Sequence, residues 1–518
     1  MKTYQTYNRK RAVFGLAAVM LSLTIIIPSA AADKSENKQV TTSKTAIDAE
    51  RSSATWLRSF SGQKISYNST PMFRSGRIYV VNENVLYELD KTGRIQRSLT
   101  LSAPMNSVCY PAQSGDYLYI PLDGGIMQCV QCSSMRPVWT SEGFGGQSLS
   151  TVTYHKGYVY AGTTKTPAGK TSGTFYCLDA KDGRTVWTYE DEETGGYYWS
   201  GGSVKGNALF FAGDGGILIS HSLLTDEVYG RQVLTETGKI RAGIACDSPS
   251  GALYTTSNDG MVYRITANDS GNIQSVQASK IVPGAKTANC TSTPAIWNNR
   301  LYVGSLADGC GYINVFNAAS LTPHYRVMTG KYREVKSSPL ISTGYANKEN
   351  GQTVYVYFTC NALPGGIYRI KDSEGADNAK LMTVFEPVHK QFCLSSVSAD
   401  ADGTLYYSND SGYLFALGVK APGPAKQKQT KKVKKPSRIK GKKKKRKWIV
   451  TFKKNETNAQ TLLYIKNGNK WKKKGGTLSS QYTLVRKSKK NIRLRLRNRK
   501  KIGGKWVYSG YTKTYRLH

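Results

Sequence analysis

Cysteine and histidine are the residue types that most often carry chemistry, and this chain of 518 residues contains nine cysteines and five histidines. The one C-x-x-C pair, Cys129 and Cys132, lies in an alternating run, where residues three apart face opposite sides of a sheet. A zinc site would need a second such pair or a pair of nearby histidines. We therefore expect buried core thiols, and we predict no catalytic, cofactor-binding or metal-binding residue.

A second candidate site is a run of three adjacent aromatic residues, Tyr197, Tyr198 and Trp199, with a pair of glycines on either side. Rings held at such a place could contact a sugar, a cyclic group or a peptide. The alternative is internal packing, with Trp199 wedged between two sheets.

The positive charge is concentrated at one end of the chain. The net charge is +39, and residues 421–518 supply +33 of it, with 34 lysines and arginines against one acid, Glu456. A surface of this charge attracts polyanions. The predicted polyanion-binding residues are Lys442, Lys443, Lys444, Lys445, Arg446, Arg493, Arg495 and Arg497.

An internal repeat determines how these residues are positioned. The segment TSTPAIWNNRLYVG at 291–304 repeats NSTPMFRSGRIYVV at 68–81. One aromatic residue per unit recurs every 40 to 53 residues, which is the period of propeller repeats such as WD40 and kelch. The eight marker residues are Tyr79, Tyr119, Tyr160, Phe210, Tyr254, Tyr302, Tyr355 and Tyr406.

Each unit has the pattern of strands joined by tight hairpins. Alternating β-branched and aromatic residues are interrupted by Asp-Gly or Asn-Asp turns, and such turns accept the positive φ that a hairpin requires. The last unit ends at Leu417 without a fourth strand, whereas the segment at 54–60 is a strand without a unit. We predict an all-β, eight-bladed β-propeller closed by that N-terminal strand, with seven blades as the alternative, followed by a small antiparallel β-sandwich.

The N-terminus has the pattern of a secretory signal peptide. Basic residues at 9–11 precede the apolar run 12–27 and an Ala-x-Ala cleavage site that ends at Ala32. We expect an exported protein with no membrane span after cleavage. The predicted domains are a signal peptide at 1–32, a polar linker at 33–53, the propeller at 54–419, a basic linker at 420–446 and a basic β-sandwich at 447–518.

The repeat resembles the PQQ-like repeat of quinoproteins, as found in secreted propellers of Gram-positive bacteria. The best copy is CLDAKDGRTVW at 177–187, and LDKTGR at 89–94 is a shorter one. The resemblance implies that Trp187, together with Asp179 and Gly183, docks one blade against the next.

Quinoprotein dehydrogenases hold their cofactor between a Trp and a disulfide of adjacent cysteines, and they bind Ca²⁺ and use an Asp base. This chain has no Cys-Cys dipeptide. We therefore expect no cofactor and a protein that is not an enzyme. The alternatives are a PQQ-dependent or other quinone-linked oxidoreductase, or a carbohydrate-binding or carbohydrate-active propeller.

The C-terminal residues resemble a Lys-rich fibronectin type III module, on Val450-Thr451-Phe452 and on the hairpin segment at 494–505. We predict a non-catalytic exported scaffold whose propeller recognises a protein or a glycan. Its basic module would retain it at anionic cell-wall polymers by charge, outside the cell. Nucleic acid would share the salt dependence but is not the expected partner of an exported chain.

Overall fold

The computed structural model describes residues 42–45, 47, 54–60, 69–106, 109–164, 172–418, 433–485, 491–502 and 505–517. The predicted signal peptide lies outside these residues, as does most of the predicted linker at 33–53. Within the described residues the secondary structure is almost entirely strand, as the alternating patterns predict. No helix in these ranges is long and apolar enough to cross a membrane.

Two short strands precede the repeat units, and four antiparallel sheets follow them. The two early strands are β1 (Thr42–Ser43) and β2 (Trp56–Ser59). Sheet 1 comprises β3 (Met72–Arg74), β4 (Arg77–Asn82), β5 (Val85–Leu89) and β6 (Ile95–Thr100). Sheet 2 comprises β7 (Ala112–Ser114), β8 (Tyr117–Leu122), β9 (Ile126–Gln131) and β10 (Arg136–Thr140). Sheet 3 comprises β11 (Thr153–His155), β12 (Tyr158–Gly162), β13 (Thr174–Asp179) and β14 (Thr185–Glu190). Sheet 4 comprises β15 (Ser203–Lys205), β16 (Ala208–Ala212), β17 (Ile217–Ser222) and β18 (Val228–Val233).

Four further sheets continue the series. Sheet 5 comprises β19 (Ala245–Cys246), β20 (Leu253–Ser257), β21 (Met261–Ala267) and β22 (Ile273–Lys280). Sheet 6 comprises β23 (Ala288–Asn289), β24 (Ala295–Trp297), β25 (Arg300–Ala307), β26 (Cys310–Asn317) and β27 (Pro323–Lys331). Sheet 7 comprises β28 (Leu340–Ser342), β29 (Val354–Thr359), β30 (Ile367–Asp372) and β31 (Met382–Phe385), with a 3-10 helix at Lys348–Asn350. Sheet 8 contains β32 (Ser398–Ala399), β33 (Leu405–Ser408) and β34 (Tyr413–Leu417).

The marker aromatic of every repeat unit lies on the strand that follows the innermost strand of its sheet. All eight markers are at most 7% exposed. Their burial reflects the position of these strands, because apolar clusters fill the space between adjacent sheets and cover both faces. The repeat period therefore predicted the placement of the core.

Sheet 8 is completed by the N-terminal strand, as the sequence predicted. Strand β2 pairs antiparallel with β34, with Trp56 opposite Ala416. From this position the Trp56 Nε1–H donates to the Lys91 carbonyl of sheet 1 at 2.9 Å. A methyl group placed on Gly93 would lie 2.6 Å from the Trp56 ring, so only glycine allows the ring this close. Sheet 8 is thus joined to sheet 1.

The same indole contact joins other neighbouring sheets. Trp139 of sheet 2 donates to the Ala180 carbonyl of sheet 3 at 3.0 Å and covers Gly183. Trp187 of sheet 3 donates to the Leu223 carbonyl of sheet 4 at 3.1 Å. Trp187 and the turn that contains Gly183, which were predicted to dock one blade against the next, thus lie at contacts between neighbouring sheets. Trp56 and Trp139 play the same role but were missed.

Asp179 organises the turn that receives Trp139. Its carboxylate accepts a hydrogen bond from the Lys181 backbone N–H at 2.8 Å, and the Gly183 N–H donates to the Asp179 carbonyl at 2.8 Å. Because Gly183 has a φ of 77°, it can close this turn without strain. The predicted group therefore takes part in two successive contacts. Asp179 and Gly183 form the turn that receives Trp139 of sheet 2, and Trp187 docks sheet 3 against sheet 4.

Residues 33–53 were predicted as a polar linker, and this is wrong for their C-terminal part. Strand β1 pairs parallel with β28, the innermost strand of sheet 7. Ile47 is fully buried between sheets 7 and 8, and its backbone N–H donates to Ser342 Oγ at 2.9 Å. One apolar side chain that fits an intersheet core is enough to fix this polar segment.

The C-terminal residues form two further sheets around a core of their own. One sheet comprises β35 (Ser437–Lys444), β36 (Lys447–Lys453) and β39 (Gln481–Val485). The other comprises β37 (Gln460–Asn467), β38 (Lys470–Thr477), β40 (Ile492–Ile502), β41 (Lys505–Tyr508) and β42 (Tyr515–Leu517). The predicted linker at 420–446 is therefore wrong in its second half, where the lysine-rich segment forms β35 and pairs with β36.

The closing contact can be tested with two glycines of equal backbone conformation. Gly93 and Gly375 both have a φ of 78°, but a methyl group on Gly375 would meet no atom within 4 Å. We expect Gly375→Ala to lower the free energy of unfolding by about 1 kcal/mol through backbone strain alone. Gly93→Ala should lower it by about 2–4 kcal/mol, because its methyl group also displaces Trp56. Urea unfolding checks this, and equal effects of the two substitutions would contradict the docking role.

Candidate functional site

Each of the eight sheets contributes a residue to one small cavity, which we call the channel neck. It lies where the chain enters the innermost strand of each sheet and has a volume of about 50 Å³. Its lining residues are Thr70, Tyr110, Thr151, Trp199, Arg241, Thr291, Thr293, Lys336, Ser338, Leu394, Ser395 and Ser396. Side chains separated by more than 300 residues in sequence therefore meet at one place, with hydroxyl groups and two cations around a single indole.

The three predicted aromatic residues have different environments. Tyr197 is fully buried between sheets 3 and 4, edge-on to Phe175 at 5.0 Å and to Phe211 at 5.7 Å. Its prediction as a ligand-binding residue is therefore wrong. Tyr198 and Trp199 are half-buried, and Trp199 lines the channel neck. The Tyr198 and Trp199 rings lie edge to face, 5.0 Å apart, and both pack against the core between sheets 1 and 2, away from Tyr197.

Trp199 is held in a strained conformation. Its φ of 63° lies in the left-handed region, which is unusual for a bulky residue. Its buried Nε1–H has no hydrogen-bond partner among the described residues, and neither does the buried Oγ1 of Thr291. Strained residues and unsatisfied buried donors both occur preferentially at ligand-binding sites. The neck thus presents two unused polar groups.

The two cations that line the neck, Arg241 and Lys336, each pair with a carboxylate. Arg241 makes a bidentate ion pair with Asp214 at 2.8 and 2.7 Å, and its guanidinium lies 4.4 Å from the Tyr198 ring. Lys239 lies 3.6 Å from the same carboxylate. Lys336 pairs with Glu334 at 3.5 Å. Three cations therefore face two carboxylates.

Glu334 provides the negative charge with which Lys336 pairs. It is 9% exposed, and burial raises the pKa of its carboxyl group, against the lowering effect of Lys336. The Asn289 amide also donates to it at 2.5 Å. As the pH falls, Glu334 becomes neutral before an ordinary glutamate does, and Lys336 then loses its counter-charge.

A larger cavity of about 800 Å³, the channel chamber, adjoins the neck through Thr151 and Thr293, which line both. The innermost strands of sheets 3 to 6 form its wall, and Lys44 beside β1 also reaches it. Its volume is within the range of small-molecule sites. The Trp297 ring lines it with a buried Nε1–H that has no partner among the described residues. Sequence patterns did not indicate Trp297, which belongs to an ordinary repeat unit.

Most of the cysteines are buried core thiols. All nine are free thiols, and seven are buried. Cys129 packs between sheets 2 and 3 and Cys132 between sheets 1 and 2, which confirms the predicted opposite orientation. Burial raises the pKa of Cys129 to about 12 and that of Cys132 to about 11, so neither is a thiolate at neutral pH. In the described ranges no three Cys, His, Asp or Glu side chains are grouped to hold a metal ion.

The predicted polyanion-binding residues occupy two different places. Residues 442–446 form the exposed hairpin between β35 and β36. Arg493 is exposed on β40 of the other sheet. Arg495 and Arg497 of the same strand are half-buried against aromatic rings, at 3.6 Å from Tyr511 and 4.3 Å from Tyr508 respectively. The eight residues therefore do not form one continuous cluster.

Residues 85–268 match a family model described as "Outer membrane protein assembly factor BamB", of the PQQ-like repeat type. This segment covers sheets 1 to 5 in part or in full. The PQQ-like repeat predicted from the sequence is thus confirmed. A search of curated proteins found no match.

Known structures show the same all-β propeller fold. BamB from Moraxella catarrhalis has 12% identity and a TM-score of 0.51, over 70% of this chain and 99% of that chain. Quinohemoprotein alcohol dehydrogenase from Comamonas testosteroni has 11% identity and a TM-score of 0.53, over 72% and 77%. The C-terminal WD40 domain of Sif2 has 11% identity and a TM-score of 0.53, over 71% and 99%. At such identities the likeness concerns the fold alone.

These matches contradict the expectation that the protein is not an enzyme. The alcohol dehydrogenase is as similar in fold to this chain as BamB is. The fold alone therefore does not distinguish an enzyme from a binding protein. The absence of adjacent cysteines was a weak basis for that expectation, since it concerns one cofactor only.

The quinone cofactor of the dehydrogenases does not fit the channel neck. A space of about 50 Å³ holds one or two water molecules, and a quinone of three fused rings is much larger. The nearest carboxylates, Asp214 and Glu334, are already bound to Arg241 and Lys336.

Neighbouring tyrosines of the aromatic segment should differ in their contribution to stability. We expect Tyr197→Ala to lower the free energy of unfolding by about 3–5 kcal/mol, because it leaves a cavity between sheets 3 and 4. Tyr198→Ala should cost about 1–2 kcal/mol, since that ring is half-buried. Urea unfolding of both variants measures the difference. A cost for Tyr198→Ala as large as that for Tyr197→Ala would show that both rings are core residues.

Proposed function

We propose that the protein is an exported binding protein that recognises an anionic group of its ligand at the channel neck. A basic C-terminal module retains it at anionic polymers of the cell wall. The observation that carries the first part is that Trp199 and Thr291, whose buried Nε1 and Oγ1 have no partner among the described residues, line the neck together with the cations Arg241 and Lys336.

The donor set of the neck suits a carboxylate, phosphate or sulfate group. An indole N–H can only donate, and a hydroxyl group can donate as well as accept. Hydrogen bonds from such groups to an ionised oxygen are about twice as strong as those between neutral groups. The bidentate pair with Asp214 orients Arg241, so little side-chain entropy is lost when a ligand binds.

The channel chamber would hold the rest of the ligand. Trp297 offers an aromatic surface with a free N–H, and backbone groups of the innermost strands line the wall. Sugars and peptides both bind to such mixed surfaces. A ligand with one anionic end and a polar body, such as an acidic sugar or an acidic peptide, would fill both cavities.

The C-terminal module supports retention by charge. Its two sheets have the strand orders β35-β36-β39 and β38-β37-β40-β41 around one core, and this arrangement favours the predicted fibronectin type III-like module. Residues 421–518, which contain this module, have a net charge of +33, and this charge suits the polyanions of a cell wall. The predicted signal peptide at 1–32 is the basis for placing the protein outside the cell.

Calorimetric titration with sulfate tests the channel neck. Sulfate stays fully ionised between pH 4 and pH 8, so its own titration does not interfere. We expect Arg241→Gln with Lys336→Gln to weaken sulfate binding at least tenfold. The control, Lys280→Gln with Lys286→Gln, removes two exposed charges elsewhere on the propeller and should change binding less than twofold. Equal loss in both variants would mean that only the net charge matters.

The pH dependence of sulfate binding gives a second test. Because burial raises the pKa of Glu334, its negative charge is lost earlier than usual as the pH falls, and Lys336 becomes free to bind an anion. Sulfate should therefore bind more tightly at pH 5 than at pH 8. The Glu334→Gln variant should bind tightly at both values. A wild-type affinity that does not change with pH would contradict this role.

Removal of residues 419–518 tests retention. We expect the full-length protein to sediment with purified Gram-positive cell walls, and the shortened protein to stay in solution. About 0.5 M salt should release the full-length protein, because the Debye length falls to a few Å. Retention of the shortened protein would show that another part of the chain binds the wall.

A further inference from the structure

One strand of the C-terminal module carries a row of cations at regular spacing. Along β40, Arg493, Arg495, Arg497, Arg499 and Lys501 alternate with residues that face the core. Leu494, Leu496 and Asn498 on that other face are buried. Alternate residues of a strand are about 7 Å apart. The outer face of this sheet therefore presents a straight row of positive charges.

Aromatic rings lie between these cations and hold them in place. The Arg495 guanidinium lies 4.3 Å from the Trp471 ring and 3.6 Å from the Tyr511 ring. The Arg497 guanidinium lies 4.7 Å from Tyr511 and 4.3 Å from Tyr508. We call this face the arginine–aromatic ladder.

The ladder continues towards the end of β40. The Arg499 guanidinium lies 4.1 Å from the Trp506 ring, and Lys501 lies 5.6 Å from the same ring. Hydrogen bonds fix the arginines further: Arg499 Nε donates to the Gln460 amide oxygen at 2.8 Å, and Arg497 donates to the Tyr464 hydroxyl at 2.9 and 3.2 Å. Guanidinium groups held in this way lose little entropy when they bind an anion.

Among the described residues of the module, no carboxylate is paired with a cation of the ladder. Glu456 is the one acid in residues 421–518, and it pairs with Lys500 at 3.4 Å. The buried Arg495 Nε–H also lacks a hydrogen-bond partner among the described residues. A row of like charges at this spacing is unfavourable by itself, since each pair repels. An anion bound along the row would remove that repulsion.

The spacing identifies the kind of anion. In poly(glycerol phosphate), six bonds join one phosphorus atom to the next. Six bonds also join the Cα atoms of residues i and i+2 of a strand. The phosphates of the extended polymer and the alternate residues of the strand therefore both repeat at about 7 Å. Each phosphate could then meet one cation. Guanidinium groups also match the geometry of phosphate oxygens, which they bind in a bidentate way.

We propose that the arginine–aromatic ladder is a binding site for a linear phosphodiester polymer of the poly(glycerol phosphate) type, with one phosphate at each cation of β40. This inference rests on the proposed retention at the cell wall, and it adds the site and the ligand class. The exposed hairpin at 442–446 supplies long-range attraction but no such register.

Single-stranded nucleic acid has a similar backbone repeat, but it binds mainly by stacking its bases on free ring faces. The rings of the ladder are already occupied by cations. Tyr511 lies next to both Arg495 and Arg497, and Trp506 lies next to Arg499 and Lys501. A polymer without bases therefore suits this surface better.

The test compares charge-preserving and charge-removing variants of the full-length protein. Binding to poly(glycerol phosphate) is measured by calorimetry at 0.15 M salt. The variant Arg495→Lys with Arg497→Lys and Arg499→Lys keeps the charge but loses the bidentate groups, and we expect at least tenfold weaker binding. The control variant replaces Lys442, Lys443 and Lys444 by Gln, and we expect less than a threefold loss.

The opposite result, a large loss in the hairpin variant and none in the arginine variant, would overturn the ladder site but leave retention by charge in place. No binding of the wild-type protein to the polymer or to cell walls would overturn the proposed retention as well. Thermal melting of each variant verifies that it is folded.

Chain length provides a measurement that needs no variant. Affinity per chain should rise steeply up to about five glycerol phosphate units, which span the cations of β40, and rise only weakly beyond. Tighter binding of oligothymidine than of glycerol phosphate chains of equal charge would identify nucleic acid as the better ligand and overturn the proposal.

Discussion

The propeller depends on a contact that recurs at three sheet boundaries, in which an indole from the outer part of one sheet packs on a turn of the next. At two of these boundaries a glycine of the turn lies under the ring. Trp56, Trp139 and Trp187 each donate an N–H to a backbone carbonyl of the following sheet. The contact combines apolar burial with a satisfied polar atom, so it fixes the distance and the angle between neighbours. At Gly93 and Gly183 any side chain would occupy the space of the ring.

Closure by Trp56 has a consequence for the centre of the molecule. Once sheet 8 is joined to sheet 1, the entry segments of all eight sheets meet at the channel neck. Residues that would be unremarkable on separate strands then form a compact set of donors. The strain at Trp199 and its unpartnered N–H are tolerated because the surrounding sheets hold the backbone in place.

Sequence reasoning found what depends on local pattern. Strand periodicity and turn residues gave the repeat, its marker aromatics and the closing role of the segment at 54–60. It failed where two distant segments combine, because local pattern carries no information on such contacts. Arg241 and Lys336 reach the neck from separate sheets. Ile47 belongs to a segment of polar residues, yet its side chain is buried in the core between sheets 7 and 8.

The lysine-rich segment that contains β35 shows the reverse error, since its charge suggested a solvated linker although consecutive residues from Lys440 to Lys444 pair with β36. The central claim is that the channel neck is an anion site, and crystals soaked in selenate test it most directly. The account predicts an anomalous selenium peak within hydrogen-bond distance of Trp199 Nε1, between Arg241 and Lys336. Selenate bound at the basic C-terminal module with none at the neck would contradict it.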